Sequence, residues 1–211
     1  STHSCWQILG RMLKLKKVAI TGGVASGKSS VCQFFRELGA YVVNADALVH
    51  ELLSLETSVG QQILKIFGPQ ILQNGTIDRR ILAAQVFINQ NLLEKLEKLL
   101  HPAVLQKIDA LYEQAKHEQI YTLFVVEIPL LYEIHAEDSY DAIVAVVSDE
   151  ALAKKRFQKA GFTSDDYEKR MSRQMAIEEK VKRADYVLLN NQSLDALHQE
   201  VIKLNSILKE N

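Results

Sequence analysis

Lys28 and Ser29 close the stretch ITGGVASGKSS, residues 20 to 30, in which four residues separate Gly22 from Gly27. An ammonium and a hydroxyl directly behind a glycine-rich turn suit a polyphosphate. The glycines let the backbone curl so that successive N–H groups point inward, with no Cβ to block an approaching oxygen. A helix beginning near Lys28 adds its unsatisfied first-turn amides and the positive end of its dipole. Lys28 can then reach the β and γ phosphates of a nucleoside triphosphate, while Ser29 offers its hydroxyl to magnesium. The spacing is that of the P-loop, G-x-x-x-x-G-K-[ST], placed between a predicted strand and a predicted helix as the motif requires.

A carboxylate and two arginines extend this chemistry. Asp46 directly follows the second apolar run, at the end of the second predicted strand. It suits two compatible roles, N-cap of a helix beginning at Ala47 and orientation of an acceptor hydroxyl for phosphoryl transfer. Arg156 and Arg170 lie in a charged helical segment, residues 149 to 183, with Lys159, Arg173, Lys180 and Arg183. Guanidinium forks match phosphate oxygens and exclude water when a lid closes. The remaining charges of that segment read as a solvated helical face.

The elements that must position these groups are legible. Five apolar runs, KVAIT (17 to 21), YVVNA (41 to 45), LFVVE (123 to 127), AIVAVV (142 to 147) and YVLLN (186 to 190), are continuous rather than alternating. Such runs suit a parallel sheet covered on both faces. After the loop, Val31, Phe34, Phe35 and Leu38 share one helical face and Gly39 is a stop signal. Residues 47 to 120 show helical patterns at 59 to 67, 79 to 88 and 90 to 100, turns at Gly68-Pro69 and Asn74-Gly75, and no convincing strand. Asp78 is a credible N-cap there. The expected domains are a core of residues 15 to 49, 118 to 148 and 184 to 211, a helical insertion of 50 to 117, and a lid of 149 to 183.

Composition removes several classes. With 25 Lys and Arg against 26 Asp and Glu, no global positive field recruits nucleic acid or anionic lipid. Cys5 and Cys32 are too few for a disulfide framework and lack metal-ligand spacing with the histidines. Residues 1 to 14 have the wrong order for a secretory signal, and LFVVEIPLLY is too short to span a bilayer. A soluble, cytoplasmic protein is expected; its oligomeric state stays open. Asn-Lys-x-Asp and Asp-x-x-Gly, which a GTPase would carry, are absent. A machine ATPase would end a strand in an acidic pair, where this chain has Glu127 alone. A small-molecule kinase remains, with the acceptor on the helical insertion and the lid closing over the phosphates.

Assembled, these stretches resemble the dephospho-coenzyme A kinase family from about Lys17 to Leu208. The resemblance is carried by TGGVASGKSS, NADALVHELL, GTIDRRILAAQVF, LEKLLHP, IPLLYE, RMSRQ and ADYVLLNN. It implies a P-loop α/β fold and transfer of the ATP γ-phosphoryl group, with Mg2+, to the ribose 3′-hydroxyl of dephospho-coenzyme A. It implies that Gly22, Gly23 and the run Ala25, Ser26, Gly27, Lys28, Ser29 and Ser30 hold ATP, and that Asp46 stands where the family has its proposed general base. Asp78, Arg79, His101 and Pro102 match its acceptor-binding helices. Pro129, Leu130, Leu131 and Glu133 match the segment beside the active cleft, Arg156, Arg170 and Gln174 match the lid, and Asn190 matches a position near adenine. From the residues themselves, His101 before Pro102 equally marks a helix end. Pro129, Leu130 and Leu131 suit packing, and Glu133 suits a local cap or pair.

Three substitutions depart from the family pattern, of which Ser30 in place of the usual threonine matters little. Ala25 replaces a glycine, which requires a negative φ there if the backbone is to stay unstrained. Lys159 stands near where a second lid arginine is usual, a point charge in place of a fork. The alternatives to the family reading are a kinase of another nucleotide or metabolite hydroxyl and a non-catalytic nucleotide-binding regulator.

Overall fold

Runs of β-branched residues, buried on both sides, form the centre of the molecule. The computed structural model describes residues 14–210. The readings made on residues 1 to 13, Cys5 among them, lie outside that range. The chain begins with β1 (Lys17–Gly22), α1 (Lys28–Glu37), β2 (Tyr41–Asn44), α2 (Ala45–Leu52) and α3 (Ser58–Phe67). A short hairpin, β3 (Leu72–Gln73) and β4 (Thr76–Ile77), precedes α4 (Arg79–Ile88) and the long α5 (Gln90–Glu118). Then come β5 (Phe124–Glu127), β6 (Ala142–Val147), α6 (Glu150–Lys159), α7 (Ser164–Ser172), α8 (Ile177–Arg183), β7 (Tyr186–Leu189) and α9 (Leu194–Glu210).

All five predicted strands join one sheet in the order β2-β5-β1-β6-β7. The pairs β1–β5, β1–β6 and β6–β7 are parallel, with Ile20 opposite Glu127 and Gly22 opposite Val146. The phosphate loop and Glu127 therefore share the carboxyl edge, where open α/β sheets bind ligands. On one face Val31 and Phe35 of α1 and Val201 and Leu204 of α9 pack on Val18, Ile20, Val125 and Val144. Each fully buried side chain of this kind contributes about 1.5–3 kcal/mol. Gly39 (φ +97) follows the α1 C-cap Leu38, as its stop signal indicates.

Contacts divide the chain into two compact units, Asn44–Leu111 and the flanking segments up to Val43 and from Tyr112 onward. Within Asn44–Leu111, the α3 and α4 helices match their predicted spans. Two expectations fail in this region. A hairpin occurs where no strand is expected, because a ladder of two residues per strand is too short to show a period. Its turn is Asn74-Gly75, both at positive φ, the geometry that favours this pair. The helix expected at 90 to 100 also continues through Pro102 to Glu118. A buried stripe of Leu96, Leu100, Val104 and Ile108 at intervals of four carries it across the proline. Pro102 itself is exposed, so water can satisfy the carbonyl that loses its donor.

Among the described residues no helix is long and apolar enough to cross a membrane.

Candidate active site

The phosphate loop bends between β1 and α1 under close constraint. A Cβ at Gly22 would lie 2.1 Å from the Val146 carbonyl oxygen, and one at Gly27 would lie 2.2 Å from Asn190 Nδ2. Gly27, at φ +103, is the N-cap of α1 and supplies no side-chain cap, and the first turn contains no acidic residue. The leading amides of α1 are thus left to an anion. Lys28 is buried, and its Nζ donates to the Gly23 carbonyl at 2.5 Å. Ser26 Oγ is buried with no hydrogen-bond partner. Ser30 follows, half-buried, in the first turn of α1.

Ala25 is a correction. Its φ is +52, the left-handed region, where the expectation was a negative angle. The strain has a counterpart in packing: Ala25 lies against a cluster of Val24, Ala153, Phe157 and Tyr167, with Met171 beside it. The tip of the loop is therefore held by apolar residues of α6 and α7, in the segment expected to form a lid.

Ser29 Oγ donates to Glu127 Oε1 at 3.0 Å, and Glu127 is buried at the end of β5. Sequence reasoning passed over Glu127 because it is not one of an acidic pair. Its signal was positional, the last residue of an apolar strand at the reactive edge. Burial, and next the negative charge of Glu127, push the Cys32 thiol well above its usual range. Two hard oxygen ligands side by side under the loop fit Mg2+, which takes one or two protein oxygens and completes its shell with phosphate and water. No group of three or more His, Cys, Asp or Glu able to hold a metal occurs among the described residues.

Asn190 and Arg156 buttress the loop from the other side. Asn190 Nδ2 donates to the Ser26 carbonyl at 2.9 Å. Ser148 Oγ lies 3.0 Å from that carbonyl and 2.9 Å from the Asn190 carbonyl. Arg156 Nη1 reaches Ser148 Oγ (2.8 Å) and the Asn190 carbonyl (3.1 Å), which fixes one end of its fork. Arg170 is placed differently. Its guanidinium carbon sits 4.6 Å from the Phe162 ring centre and 5.1 Å from that of Phe157, stacked within its own segment rather than joined to the loop. Lys159 is exposed at the end of α6.

After β5, Leu131 is buried and Leu130 partly exposed. The Pro129 carbonyl accepts from Thr21 Oγ1 at 3.0 Å. Glu133 Oε2 accepts the Met175 N–H at 3.0 Å and pairs with Lys180 at 3.3 Å, so Glu133 binds the far end of the lid segment. Gln174 is drawn to the same ammonium at 3.1 Å. Lys180, read as part of a solvated face, is fully buried because these oxygens receive its charge.

In the unit Asn44–Leu111, Asn44 caps α2 by accepting the Ala47 N–H at 3.1 Å. The expected cap role of Asp46 is thus corrected: Asp46 lies one step inside the first turn, exposed, where a carboxylate favours the helix dipole. Asp78 caps α4 through the N–H groups of Arg80 (2.8 Å) and Ile81 (3.1 Å). Arg79 Nη1 lies 3.3 Å from His50 Nδ1, and both line a cavity of about 440 Å³ with Leu53, Ser54, Glu56 and Ile77. Arginine only donates, so this contact makes His50 Nδ1 an acceptor. His50 was not singled out from sequence; only its distance of four residues from Asp46 hinted at it. His101 is half-buried within α5 rather than at a helix end.

A family model described as dephospho-CoA kinase matches residues 16–196. A dephospho-CoA kinase of Protochlamydia amoebophila is 46% identical over 200 residues, 94% of this chain and 98% of the relative. A crystal structure from Thermus thermophilus superposes with a TM-score of 0.77 at 30% identity, covering 92% of this chain and 98% of its own. The dephospho-CoA kinase from Campylobacter jejuni superposes with a TM-score of 0.63 at 27% identity, covering 93% and 98%.

Proposed function

The chain belongs to the dephospho-CoA kinase family, and on that premise we propose how its residues carry out the transfer. The donor is ATP, whose phosphates lie on the amides of the loop and the first turn of α1. The observation that carries this reading is the uncapped start of α1, with Lys28 and the Ser29–Glu127 pair directly behind it. Lys28 exchanges the Gly23 carbonyl for the β and γ oxygens. Ser29 and Glu127 would hold Mg2+, which when bound supplies neutralisation of charge shared between those oxygens.

The acceptor is dephospho-coenzyme A, and the oxygen that attacks is its ribose 3′-hydroxyl. Asp46 orients that hydroxyl and takes its proton, a contribution of about 10²–10⁴-fold in general base catalysis. Arg156, fixed at one end by Ser148 and Asn190, presents the rest of its fork to the transferring phosphoryl group. Arg170 acts with it once it leaves the Phe162 ring. Asn190 shapes the loop through Ser26 and stands beside the adenine. Arg79, with His50, contacts the acceptor in the cavity it lines, while Asp78 fixes the start of that helix. His101, Pro129 and Leu130 support the acceptor side by packing, while Glu133 supports the loop through its pair with Lys180.

The test is an acceptor panel. With Mg-ATP, dephospho-coenzyme A should give coenzyme A by mass spectrometry while adenylates give no product. Phosphorylation of an adenylate in preference would assign another kinase activity, and ATP binding without any transfer would assign a regulator.

A further inference from the structure

Lys180 is fully buried, a placement lysine accepts only with partners. Its Nζ donates to the Pro129 carbonyl at 2.8 Å, to Gln174 Oε1 at 3.1 Å and to Glu133 Oε2 at 3.3 Å. The Gly22 carbonyl stands 3.5 Å away. These oxygens come from separate parts of the chain: the entry to the phosphate loop, the segment after β5, and the linker between α7 and α8. One helical turn earlier, Ile177 Cδ1 lies 3.0 Å from where a Gly23 Cβ would sit. Helix α8 thus meets two successive loop residues, once through an apolar contact and once through a charge.

Stability alone is a poor reason for this arrangement. Burial lowers the Lys180 pKa from its ordinary value, with Glu133 opposing, and Glu133 Oε1 is buried with no hydrogen-bond partner. A buried pair of this kind is often replaced by apolar groups of similar volume without loss of stability. What an apolar pair cannot do is hold carbonyls. In a trans peptide the C=O and the following N–H point to opposite sides. Drawing the Gly22 carbonyl toward α8 therefore turns the Gly23 N–H away from it. The next carbonyl, that of Gly23, is the one on which Lys28 rests.

We propose that Lys180 is a positioning residue for phosphoryl transfer: its buried ammonium holds the Gly22–Gly23 peptide and the α7–α8 linker in a single arrangement, so that loop and lid are set together. The proposal rests on the phosphate-loop reading above.

The decisive variant is Lys180→Met combined with Glu133→Gln, which removes both charges at similar volume. Lys180→Met alone leaves a buried carboxylate and is compared for folding. The double variant should melt close to the parent, with kcat reduced about 10–100-fold and the KM for dephospho-coenzyme A within about twofold. Its loop amides, from Gly22 to Gly27, should exchange hydrogen faster than the parent's when an ATP analogue is bound. Parental kcat in a folded double variant, or a rate lowered only in proportion to lost folded protein, overturns the proposal. So does unchanged exchange in the loop. Should the parent give no coenzyme A, the functional reading fails, and the exchange measurement still decides the role of Lys180.

Discussion

Ser29 Oγ donates to Glu127 Oε1 across 3.0 Å, joining the first turn of α1 to the last residue of β5. The contact sets a hydroxyl beside a buried carboxylate at the carboxyl edge of the sheet, beside the Gly22–Gly27 loop. Glu127→Gln keeps the shape and removes the charge. Because losing even a partner outside the ligand set costs about 10–100-fold in metal affinity or activity, removing the charge of Glu127 should raise the Mg2+ needed for half-maximal rate by at least a factor in that range. A titration of rate against Mg2+ reads it, and an unchanged midpoint would assign Glu127 to holding Ser29 alone.

Asp46 does not cap its helix, since Asn44 does. Asp46→Asn should therefore leave the fold and the ATP affinity nearly as they are while kcat falls about 10²–10⁴-fold. Calorimetric ATP binding and steady-state rates separate the two quantities. Turnover close to the parent's would remove Asp46 from the chemistry.

Ala25 sits at φ +52, a conformation that costs an L-residue roughly 1–2 kcal/mol. Glycine relieves that cost but loses about 0.5–1 kcal/mol to backbone freedom and gives up a methyl packed on the lid cluster. Ala25→Gly should be stabilising by less than about 1 kcal/mol, a rise in Tm of about 2–4 °C at most. A lower Tm would show that the methyl's contact with the lid outweighs the strain.

Asp141 accepts the Lys17 N–H at 2.9 Å and the Lys14 ammonium at 2.9 Å. Burial raises its pKa, but those two contacts outweigh burial and hold it below the ordinary carboxylate value. A folded-state pKa below the unfolded one stabilises in full above the unfolded value, and that stabilisation is lost as pH falls through the folded one. The parent should therefore lose more Tm between about pH 7 and pH 3 than Asp141→Asn does. Equal losses would show that Asp141 contributes nothing to acid stability.

The sheet was legible because strands buried on both faces must be apolar through their middles, as KVAIT, LFVVE and AIVAVV are. The loop was legible because Gly22 and Gly27 meet demands no other residue satisfies, one against Val146 and one against Asn190. Positions whose meaning depends on distant partners were not. Lys180 looked like a solvated charge because Glu133 and Pro129 are far off in sequence, and Arg170 looked ready for phosphate because nothing local announced its stacking on Phe162. Pro102 looked like a helix end, since a local rule sees the missing N–H and not the buried stripe that carries α5 onward.

The most direct measurement follows the γ-phosphoryl group itself, in parent and Lys28→Ala, by 31P NMR of the product formed from labelled ATP and dephospho-coenzyme A. The account predicts label on the ribose 3′-oxygen with the parent and a rate at least about 100-fold lower with the variant, since the charge of Lys28 on the transferring group is lost. Label at any other oxygen, or a variant as fast as the parent, would contradict it.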